Sequence, residues 1–115
     1  MHALSFLALL LPFVAAKKHD QCDCMSWTKE TGWIHNKDLT HWVCHVYYME
    51  VSYHSRFDID TGRCVVDGDR KIDGQSWEDA CKEEGRDGYL ILDDKDHHVD
   101  LTSYKVGAAA GDCKY

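Results

Sequence analysis

Six cysteines, Cys22, Cys24, Cys44, Cys64, Cys81 and Cys113, constrain this chain more than any other feature. What precedes them decides how they are read. Residues 1–16, MHALSFLALLLPFVAA, carry an apolar run over 4–14 and end in Val14-Ala15-Ala16, with the small residues at −3 and −1 that signal peptidase requires. We expect a signal peptide over residues 1–16, cleaved after Ala16. The run is too short for a hydrocarbon core of about 30 Å, and no second apolar stretch follows, so no membrane span is expected. A buried N-terminal helix is the competing reading, and the abrupt change to Lys17-Lys18-His19-Asp20 speaks against it. In an oxidising compartment an even number of cysteines reads as a disulfide framework. Each bridge then contributes about 2–4 kcal/mol, comparable to the whole net stability of a small domain. A metal-centre reading fails on spacing: no C-x-x-C pair is present, and Cys22-Asp23-Cys24 is too close for a zinc knuckle.

The formal net charge of −7 excludes partners that reward a basic face, nucleic acid and anionic membrane among them. The single asparagine, Asn36, precedes Lys37-Asp38, so there is no N-glycosylation acceptor.

Along the chain, residues 22–28 alternate, with Cys22, Cys24 and Ser26 on one face and Asp23, Met25 and Trp27 on the other, as a strand requires. Residues 31–35, containing Gly32, read as a connection. Leu39, Trp42, Val43, Val46, Tyr47 and Glu50 then recur at helical spacing behind Asn36 as N-cap, predicting an amphipathic helix over about 37–49 with Cys44 beside its stripe. After Val51 the period becomes two, with Val51, Tyr53, Phe57 and Ile59 sharing a face that Ser55 interrupts. The turn Asp60-Thr61-Gly62-Arg63 joins this second strand to a short third one, 64–66, as a hairpin. Asp73 caps a second helix through 75–84, Gly85 stands where a terminating glycine belongs, and 89–92 read as a buried fourth strand. From Lys95 periodicity is lost, and 107–111, Gly-Ala-Ala-Ala-Gly, reads as a flexible run.

The order strand, helix, strand, strand, helix, strand gives an α+β fold: a two-layer sandwich with a four-stranded antiparallel sheet and two helices on one face, βαββαβ, stabilised by disulfides. The expected organisation is a signal peptide over 1–16, a domain over 17–94, and a C-terminal tail over 95–115 tied back by Cys113. Six cysteines allow fifteen connectivities. The skeleton favours joining Cys22 and Cys24 to Cys44 and Cys81 in some order, with Cys64 left for Cys113.

With this skeleton the chain resembles the small secreted cysteine-rich proteins of fungi, many of them effectors or elicitors that meet a plant host. The resemblance rests on the signal peptide, Cys22-Asp23-Cys24, the helix carrying Cys44, Asp60-Thr61-Gly62-Arg63-Cys64, and a segment from Ile72 to Cys81 that looks like an I-x-G-x-x-[WF]-x-x-x-C signature. It covers about residues 22–92 and leaves 95–115 unmatched. The strand and helix order is also similar to that of secreted fungal killer-toxin subunits. Physically the signature needs no active site: Ile72 and Trp77 suit a hydrophobic staple, Asp73 a cap, and Cys81 a bolt to the sheet.

Chemistry is mostly declined. His41 and His45 stand at i, i+4, a spacing that lets two imidazoles hold one metal ion, but no glutamate lies between them as in H-E-x-x-H, and they read as surface histidines opposite the apolar stripe. His97 and His98 among Asp93, Asp94, Asp96 and Asp100 read as a solvated loop. No nucleophile elbow is present, and the cysteines are better used in bridges than as a thiolate. No catalytic residue, cofactor or metal is therefore expected. The resemblance implies a secreted, extracellular, non-catalytic effector or elicitor that binds a host protein or cell-wall component. A killer-toxin-like antimicrobial is the alternative, and a small hydrolase or nuclease a more distant one. Met25, Trp27 and Trp33 are expected on a sheet face the helices leave uncovered, a surface for a partner or for a homodimer.

Overall fold

The structure, a computed structural model, describes residues 18–51, 55–67 and 71–114; the expected signal peptide lies outside the described residues. Among the described residues the chain forms β1 Lys18–His19, β2 Gln21–Thr28, β3 Gly32–His35, α1 Lys37–Val51, β4 Ser55–Asp58, β5 Arg63–Val66, β6 Ile72–Asp73, α2 Gly74–Asp87 and β7 Ala108–Lys114. The architecture of the described residues is α+β, with two helices on one face of an antiparallel sheet and three disulfides.

β2 organises the sheet. On one edge β7 pairs with it from Gln21↔Lys114 to Trp27↔Ala108. The other edge is shared: β5 takes the N-terminal end through Cys22↔Cys64, and β3 takes the C-terminal half from Met25↔His35 to Thr28↔Gly32. β4 extends the sheet beyond β5. β1 and β6 form a separate two-stranded piece. The main sheet therefore has five strands and not the expected four. Residues 32–35, expected as a connection, form β3, because Gly32, at φ 68°, supplies the left-handed turn residue that folds the chain back as a hairpin. Residues 89–92, expected as a strand, form only isolated bridges, Tyr89↔Tyr104 and Leu92↔His98. Residues 108–114, expected as part of a tail, are integral to the sheet.

Side-chain alternation fixes the layers. Cys22 and Cys24 point to the same side of β2, and Cys64, paired opposite Cys22, points there too. Cys24 bonds Cys81 of α2 and Cys64 bonds Cys44 of α1, so both helices lie on that side. Cys22 bonds its cross-strand neighbour Cys113. Of the expected pairing only Cys24 with Cys81 is realised. Cys22 and Cys64 exchange roles, because β7 brings Cys113 directly against Cys22 while α1 lies across β4 and β5.

Both caps form as the residue types dictate. Asn36 Oδ1 accepts from Leu39 N at 3.0 Å, and Asp73 Oδ2 accepts from Ser76 N at 3.0 Å. Ile72 and Trp77, at N′ and N4 of α2, are both buried in the core. α2 continues past Gly85 to Asp87, where Gly88, at φ 120°, ends it. Gly85 is instead a packing residue: a Cβ there would lie 2.8 Å from Val106 Cγ2 and 3.3 Å from Ala109 Cβ. Gly111 has the same role in β7, where a Cβ would lie 2.8 Å from Trp77 Cδ1 and 2.9 Å from the backbone of Glu78. Of the run of small residues, Ala109 and Gly111 face the helix, and α2 packs closely on them.

Candidate functional site

Two surfaces gather functional side chains, one on the open face of the sheet and one beside α1. On the open face the alternate residues of β2, namely Asp23, Met25 and Trp27, point away from the helices. Asp23 begins this row and is 1% exposed. Arg63 Nη1 donates to its Oδ1 at 2.6 Å, His35 Nδ1 lies 2.6 Å from its Oδ2, and Trp77 Nε1 donates to its backbone carbonyl at 2.9 Å. The sequence around Arg63 explains the arrangement. Thr61 Oγ1 donates to Asp58 Oδ2 and accepts from Arg63 N, and Gly62, at φ 72°, completes the turn that delivers Arg63 to the carboxylate. A Cβ on Gly62 would lie 2.7 Å from His35 Nε2, so glycine is also what lets the imidazole fit beneath the turn. Cys-Asp-Cys and Thr-Gly-Arg-Cys are thus two halves of one node: the cysteines reach inward to staples, and the aspartate and arginine meet on the outer side. A carboxylate this deeply buried requires such pairing.

Further along the row the surface becomes apolar and open. Trp27 and Trp33 are directly opposed on β2 and β3, and 43% and 51% exposed respectively. Met25 is half-buried, and the β7 partners on this face are Ala110 and Ala108, too small to cover the rings. The three residues expected on an uncovered face are therefore brought together there, and β2, which carries two of them, is covalently tied to β7 and to α2.

The second surface lies beside α1. His41 does not lie on the solvent-facing side of the helix: it is 6% exposed and stacks on Phe57 of β4 with ring centroids 4.1 Å apart and planes 5° from parallel. Its Nε2 lies 2.7 Å from Asp96 Oδ1. The two come from positions 55 apart, and Asp96, a non-glycine residue at φ 64°, is held by a tight turn. In that turn Asp93 Oδ1 accepts from His97 N at 3.0 Å and Lys95 N at 2.8 Å, and these donors, the His97 amide foremost, hold the Asp93 carboxyl below the usual carboxylate range. On the exposed end of α2, Asp87 beside Arg86 raises the guanidinium further.

His41, His45, Ser55, Arg56, Phe57 and Asp96 surround a cleft of about 350 Å³ between α1, β4 and the 93–97 turn. Among the described residues no three metal-ligating groups converge here or elsewhere. The sequence assigned no role to Ser55 beyond its interruption of the apolar face, none to Phe57 in a site, and placed Asp96 in a solvated polar loop. Ser55 facing the core was the one available signal. No helix among the described residues is long and apolar enough to cross a membrane. No family model, curated protein or solved structure matches the chain.

Proposed function

We propose that this is a secreted, non-catalytic effector or elicitor that binds a host protein or cell-wall component through the open sheet face. The observation that carries this reading is the opposed, exposed pair Trp27 and Trp33. Two large aromatic side chains side by side on a strand pair cost solvation in the free protein and supply the rigid apolar anchors that dominate binding energy in complexes. Their setting supports it as well: Met25, Ala108 and Ala110 extend an uncharged patch, and the three disulfides hold the strands beneath. The fungal resemblance supplies the plant host and the extracellular setting.

The test is infiltration of purified, oxidised mature protein into leaf tissue beside two controls: reduced and alkylated protein, and the double variant Trp27→Ala, Trp33→Ala. A cell-death or defence response that the wild type elicits and both controls lack is the expected result. A double variant as active as wild type removes the sheet face from the reading. Growth inhibition of competing microbes without any plant response replaces the effector with the killer-toxin-like alternative. A concentration-dependent dimer in solution that the double variant abolishes makes the partner a second copy of the chain.

A further inference from the structure

The cleft beside α1 is independent of the tryptophan face, and its chemistry is different. We infer that it binds a neutral, hydroxyl-rich ligand, a short saccharide, held by Ser55, His45, Arg56 and the carboxylates of the 93–97 turn. Ser55 is the central observation. The residue is 4% exposed and lines the cleft, and its buried hydroxyl has no hydrogen-bond partner. A hydroxyl withdrawn from water without a partner is destabilising, so a partner from outside the chain accounts for it better than packing does.

The lining then selects among ligand classes. An anion entering the cleft meets Asp94 and Asp96, and a metal ion finds Arg56 and no convergent set of three donors among the described residues. A wholly apolar ligand strips water from Arg56 and Asp96, returns no hydrogen bond, and leaves the Ser55 hydroxyl unpartnered. A ligand with many hydroxyl groups satisfies all of them, since each hydroxyl both donates and accepts. The guanidinium and serine hydroxyl donate, the carboxylates accept, and Phe57 with Ile59 offers apolar surface for the C–H face of a sugar ring. Arg56 is free to turn inward, because its ion pair with Asp67 is long, at 3.5 Å, and solvent-exposed on both sides. His41, stacked and hydrogen-bonded, is the fixed wall. A second hollow of about 330 Å³, lined by Trp42, Leu90 and His98, shares His45 and Asp96 with the first, so the site continues past one ring. Each hollow lies near the lower end of the volumes typical of small-molecule sites.

The experiment is a two-dimensional NMR titration of the oxidised mature chain. Its probes are β-1,4-linked tetrasaccharides of glucose and of N-acetylglucosamine, with inorganic phosphate and zinc as counter-probes, at up to about 10 mM since a weak millimolar complex is expected. Saturable shifts at His41, His45 and Phe57 with one of the sugars, weakened about tenfold in Ser55→Ala, support the inference. Ser55→Ala removes an unpartnered hydroxyl, so a native spectrum is expected for the variant. No saturable shift with either sugar overturns the inference, as do shifts confined to Trp27 and Trp33, shifts at the cleft that Ser55→Ala leaves unchanged, or phosphate or zinc occupying the cleft at lower concentration than the sugars. None of these outcomes bears on the leaf response of the tryptophan variant, so the two proposals fail separately.

Discussion

The two faces of β2 are held by different forces. Toward the helices, Cys22 and Cys24 are anchored covalently, to Cys113 on the neighbouring strand and to Cys81 on α2, within a core that also contains Trp77, Leu39 and Val43. Toward the open side, among the described residues, the strand is covered only by what its own neighbours supply: Arg63 and His35 over Asp23, and nothing large over Trp27. The covered face is stabilised mainly by burial and chain restriction, and the open face by one polar node whose geometry depends on two turns. This division leaves the far end of the open face, around Trp27 and Trp33, without a structural duty.

The largest test of the division is removal of a staple. Cys24 and Cys81 are 57 positions apart, so replacing both by serine frees the unfolded chain by about 4 kcal/mol. We expect the melting temperature to fall by about 20 °C. A fall of only a few degrees, measured by circular dichroism, shows that packing of α2 carries the covered face without the bridge.

Next in size is the polar node. Asp23→Ala leaves Arg63, which is only 20% exposed, beside an empty site, and we expect a loss of about 3 kcal/mol in urea unfolding. The exposed pair Arg56 and Asp67 is the control, with a loss below about 1 kcal/mol on removal of either partner. If the two pairs cost the same, the open face is not anchored at Asp23. The contrast between the tryptophans follows: Trp77→Ala removes a fully buried side chain and costs about 3 kcal/mol, whereas Trp27→Ala and Trp33→Ala each change stability by about 0.5 kcal/mol or less. A large stability loss at Trp27 would make it a structural residue and weaken its assignment to binding.

Much of this was legible in the sequence, and the exceptions have physical causes. Both helices and their caps follow from apolar spacing and from Asn36 and Asp73, which satisfy amides at the helix starts. The alternation of β2 separates its two faces, and the tight turn places β4 against β5. β7 was illegible because alanine and glycine carry no strand preference. Gly111 lets Trp77 and Glu78 approach the sheet, a tertiary requirement that local pattern does not record. Without β7 the partner of Cys22 was illegible as well. At the cleft, helical spacing placed His41 on the outer side of α1, but Phe57 and Asp96 cover it, and the latter arrives from a loop with no period of its own.

The smallest effect belongs to that loop, which no disulfide crosses directly. Asp93 is fully exposed, and its carboxylate is favoured by the amides of Lys95 and His97. Its folded value lies below the ordinary one of about 3.9, so its contribution is complete above that value and is lost as the pH falls through the folded value. Acidification below about pH 4 is therefore expected to release the 93–97 turn while the stapled sheet persists. The amide resonances of Lys95 and His97 report the release, with a midpoint below that of a free aspartate, and Asp93→Asn, which keeps an acceptor without the charge, removes this step. Loss of the β2 and β7 amide signals at the same midpoint would mean that turn and sheet unfold together. Retention of the β2 and β7 signals through the Asp93 midpoint would establish that the cleft wall carrying Asp96 opens separately from the body that presents the tryptophans.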